Sequence, residues 1–287
     1  MEPHPIYRLA QRFPQLSIPL SSGARETPLY KELVLRGRKN DLPPAGYSLS
    51  DADELKGYPT PAGEAEVLFL RERADFERCV CALAYRCEPK TIPPSMGATT
   101  IRGLIDWGRI RARRAAYENA GGGAWQEEFR RFTADPDNYQ ATLILVSSGY
   151  YSAVPPEAVG LSTAEWRQRS LTIRTYHELT HFVCRRWYPG DIDPIRDEVI
   201  ADAVGLLAAF GAYDPHKAKL FLGIEGESYR PGGRLENYVK DMPLDQAIRC
   251  ADVWVRRVAD TLAADRSEDP FWPLRPLMEA DREEKRL

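Results

Sequence analysis

The chain has 287 residues, 43% hydrophobic and 28% charged, with 39 Lys and Arg against 42 Asp and Glu and a net charge of −3. That is apolar sequence enough for one large domain or two lobes, and the near-even balance argues against nucleic acid as a partner. No apolar run reaches membrane-spanning length and Met1-Glu2-Pro3-His4 lacks the marks of a secretory signal, so a cytoplasmic protein without a membrane partner is expected.

Residues 1–62 are rich in proline and polar residues, with loops marked by Pro43-Pro44 and Pro59-Thr60-Pro61. They read as an extension that wraps the body or stays mobile, and by position as a lid or propeptide. Residues 63–160 read as an α+β N-terminal lobe: a strand over Glu66 to Leu70, a helix from Ala74 to Cys87, mostly helix from Ile101 to Asn119, and another helix from Trp125 to Phe132 after Gly121-Gly122-Gly123. The five cysteines, with Cys79, Cys81 and Cys87 close together, fit reduced thiols, and their spacing matches no common zinc module. The run Arg109 to Arg114 reads as a solvated helix face, and Pro93 to Ala98 as a turn. Ala141 to Val146 is an apolar, β-branched run that predicts a buried strand, followed by a loop over Ser147 to Pro156.

A long helix should begin at Ser162, with Glu165 three residues on completing a capping box, and stop near Trp187 before Pro189-Gly190. Inside it stands His177-Glu178-Leu179-Thr180-His181. Helical positions four apart share a face, so both imidazoles can hold one metal ion while Glu178 points to its open side. At this composition the pattern arises by chance in roughly one such sequence in two hundred. Hydrolytic zinc usually takes three protein ligands and leaves a place for water. The third is expected from the next helix, where Asp193 is the N-cap, Pro194 the first residue and Gly211 the stop: Glu198, seventeen residues after His181. Asp202, one turn on, can accept a proton from the far nitrogen of a ligand histidine.

Beyond it, helices are expected over Asp214 to Leu222, Leu235 to Lys240 and Leu244 to Ala264. The residues from 266 to 287 are polar, carry three prolines and read as a surface tail. Residues 161–265 therefore form a helical metal-binding lobe.

Between about 141 and 211 the two helices resemble the catalytic core of gluzincin metallopeptidases, the thermolysin-like zincins, which use His-Glu-x-x-His followed by Glu-x-x-x-Asp on the next helix. Asp197 and Ala201 stand where that pattern often has Asn and Ser, and neither change removes a ligand. The resemblance implies an α+β, predominantly helical fold: a zincin-like core with a small mixed sheet packed on the active-site helix, and a strand lining the cleft. It implies one Zn(2+) per chain on His177, His181 and Glu198, Glu178 as general base, and a peptide or protein substrate. Related enzymes stabilise the tetrahedral intermediate with a downstream Tyr, His or Arg, and the candidates are His216, Tyr229, Arg234 and Tyr238; for each taken singly, a surface loop residue or a packed aromatic is the stronger reading. Two alternatives stay open: a hydrolase of a non-peptide amide or ester, and an inactive metal-stabilised binding protein, with Cys184 as a possible fourth ligand or a packed core thiol.

Overall fold

The computed structural model describes residues 3–226, 228–239, 242–264 and 267–284. The chain is α+β and predominantly helical, with a small mixed four-stranded sheet. It divides into two compact units: residues 1–57, 66–92 and 99–147 form the first, and residues 58–65, 93–98 and 148–287 the second. These boundaries differ from those expected at 62, 160 and 265, because the chain passes between the units several times.

The first unit opens with α1 (Pro5–Arg12), whose Ile6, Leu9 and Ala10 are buried together with Phe13 and Leu16. A short α2 (Pro28–Tyr30) follows. The sheet has the order β1-β2-β4-β3, with β1 at Glu54–Thr60, β2 at Gly63–Leu70, β3 at Ala98–Ile105 and β4 at Gln140–Ser147. Strand β4 pairs in parallel with β2, Glu66 opposite Leu143 and Leu70 opposite Ser147. As an interior strand it is covered almost throughout, which is why its sequence is a continuous apolar run. The sheet edges are β1 and β3, and the strand read as buried in the sequence is the interior β4.

Four expectations are corrected. Residues 3–57 do not stand apart from the body: Ile6, Leu9, Phe13, Leu16, Leu33 and Val34 are buried in the first unit, and Arg12 grips Glu66 with two bonds of 2.7 Å and Asp106 with one of 2.9 Å. The predicted helix from Ile101 begins only at α4 (Trp107–Asn119), capped by Asp106, which accepts from the Arg109 amide. The residues before it are β3, in keeping with β-branched Thr99, Thr100 and Ile101. The helix α3 (Arg73–Leu83) ends before Cys87, whose φ of 65° lies in the left-handed region. The other helices of this unit are α5 (Trp125–Phe132), as predicted, and α6 (Pro136–Tyr139).

The second unit is built on α8 (Thr163–Trp187) and α9 (Pro194–Phe210), preceded by the short α7 (Pro156–Val159). Both caps form as read: Ser162 and Glu165 exchange bonds, and Asp193 accepts from the amides of Ile195 and Arg196. The helices α10 (Pro215–Leu222) and α11 (Leu244–Ala264) also form as read, while Arg234–Tyr238 is a 3-10 turn. Lys240, the expected end of that helix, and Arg266, the expected start of the tail, lie outside the described residues. The fourth correction concerns the tail. It holds α12 (Leu274–Glu284), with Phe271, Leu274, Leu277 and Met278 buried; proline is tolerated in a first helical turn, whose amides have no partner within the helix. Asp281 of α12 forms an ion pair with Arg196, fully buried on α9, which also bonds Asp197 at 2.8 Å and Asp191 at 3.2 Å.

Candidate metal centre

The two long helices run antiparallel, and one seam carries the site. Arg169 donates to the Ala209 carbonyl, Ile173 meets Gly205, His177 meets Asp202, and His181 meets Glu198. These positions step by one turn along each helix, as facing residues must. Gly205 sets the gap: a Cβ there would lie 2.9 Å from the Ile173 carbonyl oxygen, so only glycine lets the backbones approach this closely.

On this seam the Nε2 atoms of His177 and His181 are 3.1 Å apart, and each lies 3.3 Å from an oxygen of Glu198. Two ligands of a tetrahedral ion at about 2.0–2.1 Å stand roughly 3.3–3.4 Å apart, so the donor set fits a small divalent cation. The chemistry fits as well. Glu198 Oε2 is buried without a hydrogen-bond donor, and Asp202 Oδ1 sits 2.9 Å from His177 Nδ1, which directs the Nε2 lone pair toward the centre. Burial opposes charge on His177, yet the carboxylates of Glu198 and Asp202 push it up to about 9. Burial would raise Glu198, but the two imidazoles hold it well below its ordinary value. The site draws a positive charge. Among the described residues this is the one grouping of three side chains disposed to bind a metal.

A cleft of about 310 Å³ opens here, lined by His177, Glu178, Tyr151, Arg234 and Tyr238 among others, and by the turn Pro93 to Ala98. Tyr151 was not singled out in the sequence. Its hydroxyl donates to Asp202 at 2.5 Å, lies 3.0 Å from His177 Nδ1 and accepts from Arg234. Arg234 also pairs with Asp202, which is held low by that guanidinium and the bonds from His177 and Tyr151 despite burial. Burial drives the Tyr151 phenol well above its ordinary value. The loop carrying Tyr151 is strained, with Ser152 and Ala153 at φ of 50° and 55°, and Arg174 pins it by donating to the carbonyls of Gly149 at 2.8 Å and Tyr150 at 2.6 Å.

Of the four downstream candidates, Arg234 and Tyr238 reach the cleft, and burial, with the Glu198 carboxylate nearby, raises the Tyr238 phenol well above its ordinary value. His216 and Tyr229 do not line it. His216 is exposed at the start of α10, and Tyr229 packs against Gly223 and Gly233 of its own hairpin, β5 (Ile224–Glu225) with β6 (Ser228–Tyr229). Cys184 lies outside the three-residue cluster; it is buried, and its thiol is pushed up to about 12 by that burial. The five cysteines are free thiols.

The fold and site define an α+β chain with a candidate three-ligand metal centre on two antiparallel helices. Residues 4–269 match the model of a family of unknown function (DUF7005), and the chain belongs to that family. No curated protein and no solved structure matches it.

Proposed function

We propose that this protein is a zinc-dependent metallohydrolase with a gluzincin-like core that cleaves peptide bonds in the cytoplasm. The observation that carries the reading is the convergence of His177, His181 and Glu198 to mutual distances of 3.1–3.3 Å, next to a cleft lined by Glu178. Two imidazoles and one carboxylate form a donor set suited to zinc, with a ligand position left for water.

Bound zinc supplies Lewis acidity and a water molecule that ionises near pH 7. Glu178 takes the proton from the attacking water and returns it to the leaving nitrogen. Asp202 fixes the tautomer and ring plane of His177, and Tyr151 with Arg234 holds Asp202 ionised and in place. Arg234, a cation at the cleft wall, favours negative charge developing on the substrate carbonyl oxygen.

The cleft's volume favours a second reading, an amide or ester in a small substrate, since about 310 Å³ is at the low end for ligand pockets and short for an extended peptide. Elemental analysis of dialysed protein beside Glu198→Ala tests the centre. About one zinc per chain in the wild type and far less in the variant is expected. Wild-type protein that takes up no zinc when it is supplied would overturn the proposal.

A further inference from the structure

The first unit holds a second concavity, of about 630 Å³, that has no part in the proposed hydrolysis. Its walls are the rings of Trp107, Trp125 and Phe129 and four arginines, Arg36, Arg111, Arg114 and Arg130, and among the described residues no acidic side chain lines it. Trp107 is anchored by its indole nitrogen, which donates to the Val34 carbonyl at 2.9 Å. Gly37 lies flat on that ring, where a Cβ would come within 2.1 Å of it.

The charges around this concavity are unevenly compensated. Arg36 pairs with Glu32, Arg114 with Glu118 at 2.8 Å, Arg113 with Glu128, and Arg109 stands 3.5 Å from Asp106. Those arginines behave as a solvated, ion-paired helix face. Arg111 does not: half-buried, it donates to the Gln11 carbonyl and makes no ion pair with a carboxylate among the described residues. Burial accordingly lowers its pKa, with Asp106 only partly offsetting the effect. Arg130, at the rim, makes no ion pair there either. A partly desolvated guanidinium without a counter-charge is costly unless an anion completes it.

We propose that this concavity binds a small planar anion of the nucleotide type, its phosphate held by Arg111 and Arg130 and its base against the aromatic wall of Trp125 and Phe129. Guanidinium groups recognise phosphate through paired N–H donors, and indole and phenyl faces accept a stacked base whatever its identity. The volume lies within the range of small-molecule pockets.

The test is calorimetric titration of the full chain with adenosine 5′-monophosphate, adenosine and inorganic phosphate, with tryptophan fluorescence as a second readout. The nucleotide should bind at least about tenfold tighter than either fragment, and more weakly as salt rises. Arg111→Gln and Arg130→Gln should each weaken it by about tenfold. If Arg111→Gln fails to fold by circular dichroism, the exposed Arg130→Gln decides alone. No binding at millimolar nucleotide, or unchanged affinity in the folded arginine variants, would overturn the proposal. Inorganic phosphate binding as tightly as the nucleotide, or a single-stranded oligonucleotide binding far more tightly, would overturn the assignment of a small base-bearing ligand.

Discussion

Replacing Asp202 by Asn separates what this residue does for the fold from the role proposed for it beside the metal. The carboxylate is fully buried and serves three partners: His177 at 2.9 Å, Tyr151 at 2.5 Å and the guanidinium of Arg234. The amide keeps the shape but loses the charge, and it cannot satisfy His177 and Tyr151 with its oxygen without turning its NH2 toward another donor, Arg234. Removing one member of a buried ion pair costs about 3–5 kcal/mol, because the remaining charge stays buried. For a unit of roughly 150 residues that corresponds to a fall in Tm of about 10 °C in metal-free protein. Zinc affinity should drop by about 10–100-fold on its own account, as His177 loses its orientation and basicity. Thermal melts without metal, and competition with a chromophoric chelator, measure the two effects separately. Adding Arg234→Gln should return part of the stability but none of the zinc affinity. An Asp202→Asn protein with wild-type Tm and zinc affinity would refute the account of the site.

Three further outcomes are expected. On the proposed function, Glu178→Gln should bind zinc as the wild type does and lose turnover by about 10²–10⁴-fold or more, since the proposed ligands remain and the proposed base is gone; full activity would remove Glu178 from the mechanism. Gly205→Ala should destabilise the protein by about 1–3 kcal/mol and weaken zinc binding, because the methyl group pushes α9 away from Ile173 and so shifts Glu198 from the histidines; denaturant unfolding and chelator competition report both. Arg196→Met leaves Asp191, Asp197 and Asp281 facing one another in place of a shared cation, so a loss of about 3–5 kcal/mol in urea unfolding is expected, with proteolysis starting in α12.

The elements that were legible in the sequence are those whose signals are local. The capping box at Ser162 and Glu165, the Asp193-Pro194 start and the Gly211 stop each act within one helical turn, and both helices form over the ranges they predict. The residues 101–119 misled because helical spacing in α4 runs backward into β3, where Thr99, Thr100 and Ile101 prefer extended backbone and Asp106 marks the change. The tail and the first 57 residues misled because their prolines look like loop residues, whereas Ile6, Leu9, Phe13 and Leu16 in the one and Phe271, Leu274, Leu277 and Met278 in the other are buried.

The sequence by itself determined the chemistry on offer: two imidazoles one turn apart with a carboxylate between them, and a second helix placing Glu198 and Asp202 on one face. That follows from the 3.6-residue repeat alone. Only the tertiary structure decided which distant residues complete the site. Tyr151 and Arg234 meet at Asp202 from positions 51 residues before and 32 residues after it, while His216 and Tyr229 stay away from the cleft. No local periodicity encodes such meetings. They depend on how α8 and α9 pack across Gly205, and on a strained loop that Arg174 holds in place.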